Sequence, residues 1–221
     1  MLNNRNQFSI RSQSAGLKRL CQRFYSLPHS LPDRYHDFRL GIKTCGQFFH
    51  ANPENKQYDP LLYHHLFTVV RQLQVGPDDV FLDYGCGKGR VLVAAALRPF
   101  HEVIGVDLSP ELCEIARANV RRARGLCCRN IRIVCADAIS FDVPDSVTVL
   151  YFYNPFTGSI LRGALAKVRQ SLDRRPRAIH TIFLNYGVFA DPFAGLGWVR
   201  TLEEFSLRRP LVCCRVYQFG P

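Results

Sequence analysis

The chain has 221 residues, 47% of them hydrophobic, and a formal net charge of +11. That length holds one well-cored α/β domain with a short extension, and no apolar run approaches the roughly 18 residues that span a bilayer. Nine cysteines without a C-x-x-C, and seven histidines without ligand spacing, point to a reducing compartment and to no metal site.

The charge is unevenly placed. Residues 1–50 hold eight Lys/Arg against two Asp/Glu, and residues 1–32 hold no acid at all. Arg5, Arg11, Lys18, Arg19 and Arg23 among serines and asparagines have the composition of a mitochondrial transit peptide, and equally of a basic N-terminus leading into a surface helix at about 16–26, where Leu17, Leu20 and Phe24 share a face. The expected location is cytoplasmic on the second reading and the mitochondrial matrix on the first. Residues 27–60 contain Pro28, Pro32, Gly41, Gly46, Pro53 and Pro60 and read as loop-rich. Within them, Asp37–Gly46 reads as a lid, a wall beside the substrate or a packing strap over the sheet edge. Leu61–Leu73 is a helix with Leu62, Leu66, Val69, Val70 and Leu73 on one side. His64 and His65 are adjacent in it and point about 100° apart, so helix packing or solvent takes both.

Val80–Tyr84 is a short apolar run carrying an acid, and Gly85-Cys86-Gly87-Lys88-Gly89-Arg90 follows before the alanine-rich Val91–Leu97. This is strand, tight loop, helix. Glycine there permits positive φ and close approach of a ligand to the backbone. A dinucleotide loop wants G-x-G-x-x-G with a pyrophosphate on the helix N-terminus. Here Arg90 occupies the third glycine's place, and Asp83 sends a negative charge into the site. That charge repels a pyrophosphate and suits a cationic, phosphate-free ligand such as S-adenosylmethionine. Cys86 reads as a loop residue and not as a nucleophile.

His101–Leu108 is a second strand, and its Asp107 lies 24 residues after Asp83, close to the roughly 20-residue offset of a ribose-binding acid. Ser109-Pro110-Glu111 opens a helix with an N-cap serine, a proline at the first position and an acid in the first turn. That helix runs to about Arg124-Gly125. Arg117, Arg121, Arg122, Arg124, Arg129 and Arg132 form a basic cluster with no acid between 115 and 136. It reads as a solvated helix face or as an RNA surface; no aromatic is interleaved to stack bases. Ile131–Ala136 is a third strand ending in Asp137-Ala138, where a carboxylate and an N–H suit an adenine ring. Val147–Tyr153 is a fourth, ending in Asn154-Pro155-Phe156. Four successive strand ends thus carry polar groups at the edge where open α/β sheets bind ligands. Gly158–Leu172 is a helix and Ala178–Tyr186 a fifth strand. Trp198–Leu207 and Leu211–Phe219 pair as an antiparallel hairpin about Arg208-Arg209-Pro210.

These residues resemble the class I S-adenosylmethionine-dependent methyltransferases over about 58–221. Asp83–Arg90, Ile104–Leu112 and Tyr151–Phe156 look like a small bacterial group within them, as do Asp37–Gly46 and Tyr58-Asp59-Pro60. More distantly, the loop and the Asn-Pro-Phe end are similar to the non-SET histone-lysine methyltransferases. The resemblance implies a Rossmann-like seven-stranded α/β sheet, mostly parallel with a terminal antiparallel hairpin and flanking helices, over residues 58–221, with 1–57 as a basic extension and lead-in. It implies S-adenosylmethionine as cofactor, held by Asp83, Gly85, Cys86, Gly87, Gly89, Asp107, Leu108, Asp137, Ala138 and Asn154. Asn154, Pro155 and Phe156 are the expected chemical centre. The asparagine aims an acceptor nitrogen at the methyl group, Phe156 stacks on the substrate, Tyr58 covers the methionine end, and Tyr58 or Tyr153 assists proton removal. The motif is one proline shorter than the Asn-Pro-Pro-aromatic motif of amino-group methylases. The expected acceptor is therefore a nitrogen of lysine or a small amine; RNA methylation and a non-catalytic scaffold are the alternatives. No membrane or metal partner is expected.

Overall fold

The computed structural model describes residues 31–46, 58–153, 156, 158–186, 191–207 and 212–221. The expected 16–26 helix, Asn154-Pro155 and the Arg208-Arg209-Pro210 turn lie outside the described residues.

Seven strands form one sheet: β1 (Val80–Tyr84), β2 (Glu102–Asp107), β3 (Ile131–Cys135), β4 (Val149–Tyr153), β5 (Ile179–Tyr186), β6 (Val199–Leu207) and β7 (Val212–Phe219). Their order is β3-β2-β1-β4-β5-β7-β6. The first five are parallel, and β7 inserts antiparallel between β5 and β6. The switch in strand order falls between β1 and β4, so their C-terminal ends flank the crevice where such sheets bind ligands. β1 is buried at all five positions, as a strand covered on both faces must be.

The two faces carry separate cores. Phe81, Val103, Val149, Tyr151, Ile182 and Leu184 face α2 (Tyr63–Gln72) and α3 (Arg90–Ala96). Leu82, Tyr84, Ile104, Phe152, Phe183 and Phe219 face α5 (Gly158–Arg174). On the first of these faces α4 (Pro110–Arg122) packs against β3, β2 and α3. Its N-cap Ser109 accepts from the Leu112 N–H at 3.2 Å, as the sequence predicts. The eight cysteines among the described residues are all free thiols; Cys86, Cys113, Cys128, Cys213 and Cys214 are buried as small hydrophobes.

One element departs from the sequence reading. Within the stretch expected to be loop, Leu31–Leu40 is a helix, α1. Pro32 stands in its first turn, where its missing N–H costs nothing. The face that α1 buries carries Asp33, Asp37 and Leu40. A buried face made largely of carboxylates shows no apolar periodicity, so hydrophobic patterning cannot find it.

Gly105 sits in the middle of β2 under the glycine loop. A Cβ there would meet Leu92 Cδ1 at 2.6 Å and Cys86 Sγ at 2.8 Å. Gly105→Ala is expected to cost about 1–3 kcal/mol by overpacking. Urea unfolding followed by the fluorescence of Trp198, the sole tryptophan, checks this; an unchanged midpoint would refute it.

Candidate cofactor site

The loop between β1 and α3 needs its glycines. Gly85, Gly87 and Gly89 have φ of +80°, +52° and +82°, a region that side-chain-bearing residues rarely occupy. The Gly85 and Cys86 N–H groups both donate to the Val106 carbonyl, at 2.8 and 3.1 Å, which ties the loop to β2. The Gly87 N–H donates to Asp107 Oδ2 at 2.8 Å, and the Ser109 N–H to Asp107 Oδ1 at 2.9 Å. Asp107 therefore stands half-buried at the end of β2, held between the loop and the start of α4.

Asp83 lies one strand over, paired in register with Gly105 and with Tyr151. It is 2% exposed, and among the described residues its Oδ2 has no hydrogen-bond partner. Burial, and then the Asp107 charge, raise its pKa well above the ordinary 3.8. A buried carboxylate oxygen without a partner is costly, and a ligand carrying an ammonium or sulfonium group offsets that cost. A phosphate does not. The glycine cradle, Asp83 and Asp107 thus fit S-adenosylmethionine.

The remaining expected residues sort by where the chain puts them. The Cys86 sulfur turns beneath the loop toward Gly105, and burial pushes its thiol pKa up, so only its backbone faces the loop. Leu108 stands exposed at the rim. Asp137 is exposed; its Oδ1 accepts from the Ile139 N–H at 3.0 Å, and its carbonyl accepts from the Ser140 and Phe141 N–H groups. It closes the turn that follows β3, and Ala138 packs on the α5-side core. Phe156 sits beyond β4 with its ring edge-on to Tyr84 and Phe152, at centroid distances of 6.1 and 6.3 Å.

Tyr58 lies on the loop. Its ring occupies the space that a Cβ on Gly87 would need, its hydroxyl donates to the Thr44 carbonyl at 2.9 Å, and Lys88 Nζ is 4.9 Å from its ring centroid. Lys88 also donates to the Gly46 carbonyl at 3.0 Å.

Arg90 is the residue whose role the sequence reading missed. It is 2% exposed, and its side chain turns away from the loop toward the 31–46 segment. Its NH1 group pairs with Asp33 Oδ2 at 2.5 Å and donates to the Leu61 carbonyl at 2.9 Å; Nε donates to Thr44 Oγ1 at 2.7 Å. The guanidinium lies 4.3 Å from the Tyr63 ring centroid and 3.9 Å from Asp37. Asp37 in turn accepts from the Thr44 N–H and hydroxyl, the Cys45 N–H and the Tyr63 hydroxyl. Burial alone would raise its pKa, but these donors, Thr44 first, hold it below the usual value. The side chain of Asn119, fully buried, bonds both the N–H and the carbonyl of Lys43 and donates to the Lys88 carbonyl at 2.8 Å. Of the readings for Asp37–Gly46, these contacts make it a packed strap, fastened to the glycine loop by Arg90, Lys88 and Asn119. The legible signal was the spacing of Asp33 and Asp37, one helical turn apart, upstream of a loop arginine.

Among the described residues no group of three or more His, Cys, Asp or Glu is placed to hold a metal ion, and no helix is long and apolar enough to cross a membrane.

Comparison with known proteins agrees with this arrangement. Residues 81–175 match the family model described as a methyltransferase domain. The chain is 32% identical over 111 residues to the ribosomal RNA small subunit methyltransferase A of Thermobifida fusca, covering 48% of this chain and 35% of that protein. It is 51% identical over 41 residues to the ribosomal protein L11 methyltransferase of Dechloromonas aromatica, covering 19% of this chain and 14% of that one. It is also 31% identical over 67 residues to the H3 lysine-79 specific histone-lysine N-methyltransferase of Cryptococcus neoformans, covering 30% of this chain and 10% of that one. The chain thus spans at most about a third of the length of these relatives. Among solved structures, the N-methyltransferase NodS of Bradyrhizobium japonicum has a TM-score of 0.57 at 13% identity, covering 72% of this chain and 96% of that one, which is a likeness of fold.

Proposed function

We propose that the chain, whose residues 81–175 match a methyltransferase-domain model and whose seven strands run in the order β3-β2-β1-β4-β5-β7-β6, is a class I S-adenosylmethionine-dependent methyltransferase, EC 2.1.1.-, acting on a nitrogen acceptor: a lysine or a small amine. The observation that carries the cofactor is the unpartnered Asp83 oxygen beside a glycine cradle and Asp107. The sequence Asn154-Pro155-Phe156 at the end of β4 carries the acceptor. Strand β4 adjoins β1, and Phe156 packs edge-on to Tyr84, which supports a role for the motif beside the cofactor loop. Similarity to the H3 lysine-79 enzyme supports the lysine form.

Methyl transfer from a sulfonium is an in-line displacement. The cofactor supplies the electrophile, and the protein aligns the two partners and excludes water. In this reading Asn154 accepts a hydrogen bond from the acceptor nitrogen and directs its lone pair, and Tyr58 closes over the loop. The test is transfer of labelled methyl from S-adenosylmethionine to a lysine-bearing peptide, a set of primary amines and total RNA. Asn154→Ala is expected to lower kcat with the amine acceptor about 100-fold or more while S-adenosylhomocysteine affinity stays within a few-fold. Transfer to RNA alone, unaffected by Asn154→Ala, would overturn the amine reading. RNA methylation is the second reading, favoured by the similarity to the ribosomal RNA enzyme.

A further inference from the structure

We propose that the outward face of α1, continued by Lys43 and the arginines at the end of α4, is a docking surface for single-stranded RNA. This goes beyond the choice of methyl acceptor and does not depend on it.

The two faces of α1 differ sharply. Its acids, Asp33 and Asp37, point inward to Arg90 and the strap. Its outward side therefore carries no carboxylate, and it presents Arg34, Tyr35, Phe38 and Arg39. Tyr35 is 58% exposed, Phe38 77% and Leu31 83%. Two aromatic rings this exposed, three residues apart on one helix face and flanked by arginines, are costly to leave in water and suited to stacking on successive unpaired bases.

The fold extends the surface in a way the sequence does not announce. The Arg124 N–H donates to the Leu40 carbonyl at 3.0 Å, Gly41 packs against the Arg122 carbonyl, and Asn119 clasps Lys43. These contacts bring the end of α1 against the end of α4, so Lys43, Arg121, Arg122 and Arg124, all exposed, continue the cationic face. The arginine cluster of 117–132 thereby gains the aromatic partners it lacks along the chain.

The exposed rings, not pairing alone, separate this face from the rest of the arginine-rich surface, since Arg71, Arg129, Arg162 and Arg175 are also exposed and have no carboxylate partner among the described residues. Elsewhere Arg117, Arg132, Arg169, Arg174 and Arg215 are each held by a carboxylate. Among the described residues, Arg34, Arg39, Lys43 and Arg121 have no such partner. Unneutralised cations beside exposed rings match a flexible polyanion with π-faces. A basic patch alone would match any polyanion.

The position also suits a substrate-side role. The inner side of the same helix holds Arg90, the residue that follows the glycine loop. RNA on the outer side lies one helix away from the cofactor crevice.

The test is fluorescence anisotropy of the full chain, without cofactor, against a labelled single-stranded RNA of about 12 nucleotides, with a duplex of the same length, heparin and poly-glutamate as competitors. Tyr35→Ala with Phe38→Ala is expected to weaken single-stranded RNA binding at least about fivefold per ring, with little change for heparin. Arg34→Gln with Arg39→Gln should lower the slope of log K against log salt by about 1.4. All four residues point outward, so unchanged thermal unfolding and S-adenosylhomocysteine affinity report that the variants are folded. Equal loss for RNA and heparin in the ring variants would overturn the proposal in favour of a purely electrostatic face. RNA affinity unaffected by all four changes would also overturn it, as would preference for poly-glutamate, which would point to an acidic protein partner.

Discussion

Arg90→Ala is expected to cost about 3–5 kcal/mol of folding stability, a large share of the roughly 5–15 kcal/mol that holds a domain together. Removing the guanidinium leaves Asp33 buried beside Tyr63 without its counter-ion, and strips Thr44 Oγ1 and the Leu61 carbonyl of their donor. The loss comes mostly from stranded carboxylate charge, and less from the missing attraction. Arg90→Lys is expected to recover little. One ammonium cannot reach Asp33, Thr44 and the Leu61 carbonyl together, and it lacks the planar face that lies over Tyr63. Asp33→Asn combined with Arg90→Met is expected to recover most of the stability, because no unpaired charge then remains at that end of the cluster. Urea unfolding followed by Trp198 fluorescence measures all three. A loss below about 1 kcal/mol for Arg90→Ala would mean that the strap is a loosely held surface segment. Because Thr44 also receives the Tyr58 hydroxyl at its carbonyl, the same variant should weaken S-adenosylhomocysteine binding through a disordered strap and a displaced Tyr58 ring.

This cluster marks where sequence reasoning stopped. The sheet was legible because strands buried on two faces are continuous apolar runs and the helices between them carry apolar stripes: β1, β2 and β4 lie within two residues of where composition places them. The Ser109 cap was legible because its signal is local. The loop and its two spaced acids were legible because each answers a local chemical demand, positive φ for Gly85, Gly87 and Gly89, and a carboxylate at a strand end for Asp107. α1 was not, because what it buries is polar and its partner, Arg90, is 57 residues from Asp33. Pairwise long-range chemistry leaves no periodicity. Asp137 shows the converse limit. Its position after β3 reads as a ligand contact, and its Oδ1 also caps the turn at Ile139, a local use that the residue type permits beside a ligand role.

Asp83→Asn is expected to weaken S-adenosylmethionine binding about 10- to 100-fold while leaving the free protein at least as stable as the wild type. The two effects have one origin. In the free protein, burial and then the neighbouring Asp107 charge raise the Asp83 pKa. An acid whose folded pKa is raised binds more protons in the folded than in the unfolded state. Its ionisation therefore costs nothing below the ordinary 3.8, and destabilises the fold progressively as pH rises toward the folded value. Asparagine keeps the shape and removes that penalty, so the stability difference, variant minus wild type, grows with pH across that window. A bound cation reverses the balance. The positive charge lowers the Asp83 pKa, so binding releases a proton wherever Asp83 is protonated in the free protein, and wild-type affinity rises with pH through that range. Calorimetry in two buffers of different ionisation enthalpy reads the released proton directly, and the Asn variant should release none from this site. Asp107→Ala is the contrasting case. It removes a carboxylate that fastens the Gly87 and Ser109 N–H groups, so it should weaken binding without abolishing the Asp83-linked proton release. Unchanged affinity in Asp83→Asn, with pH dependence intact, would place the cofactor's charge elsewhere and make Asp83 a structural carboxylate of β1.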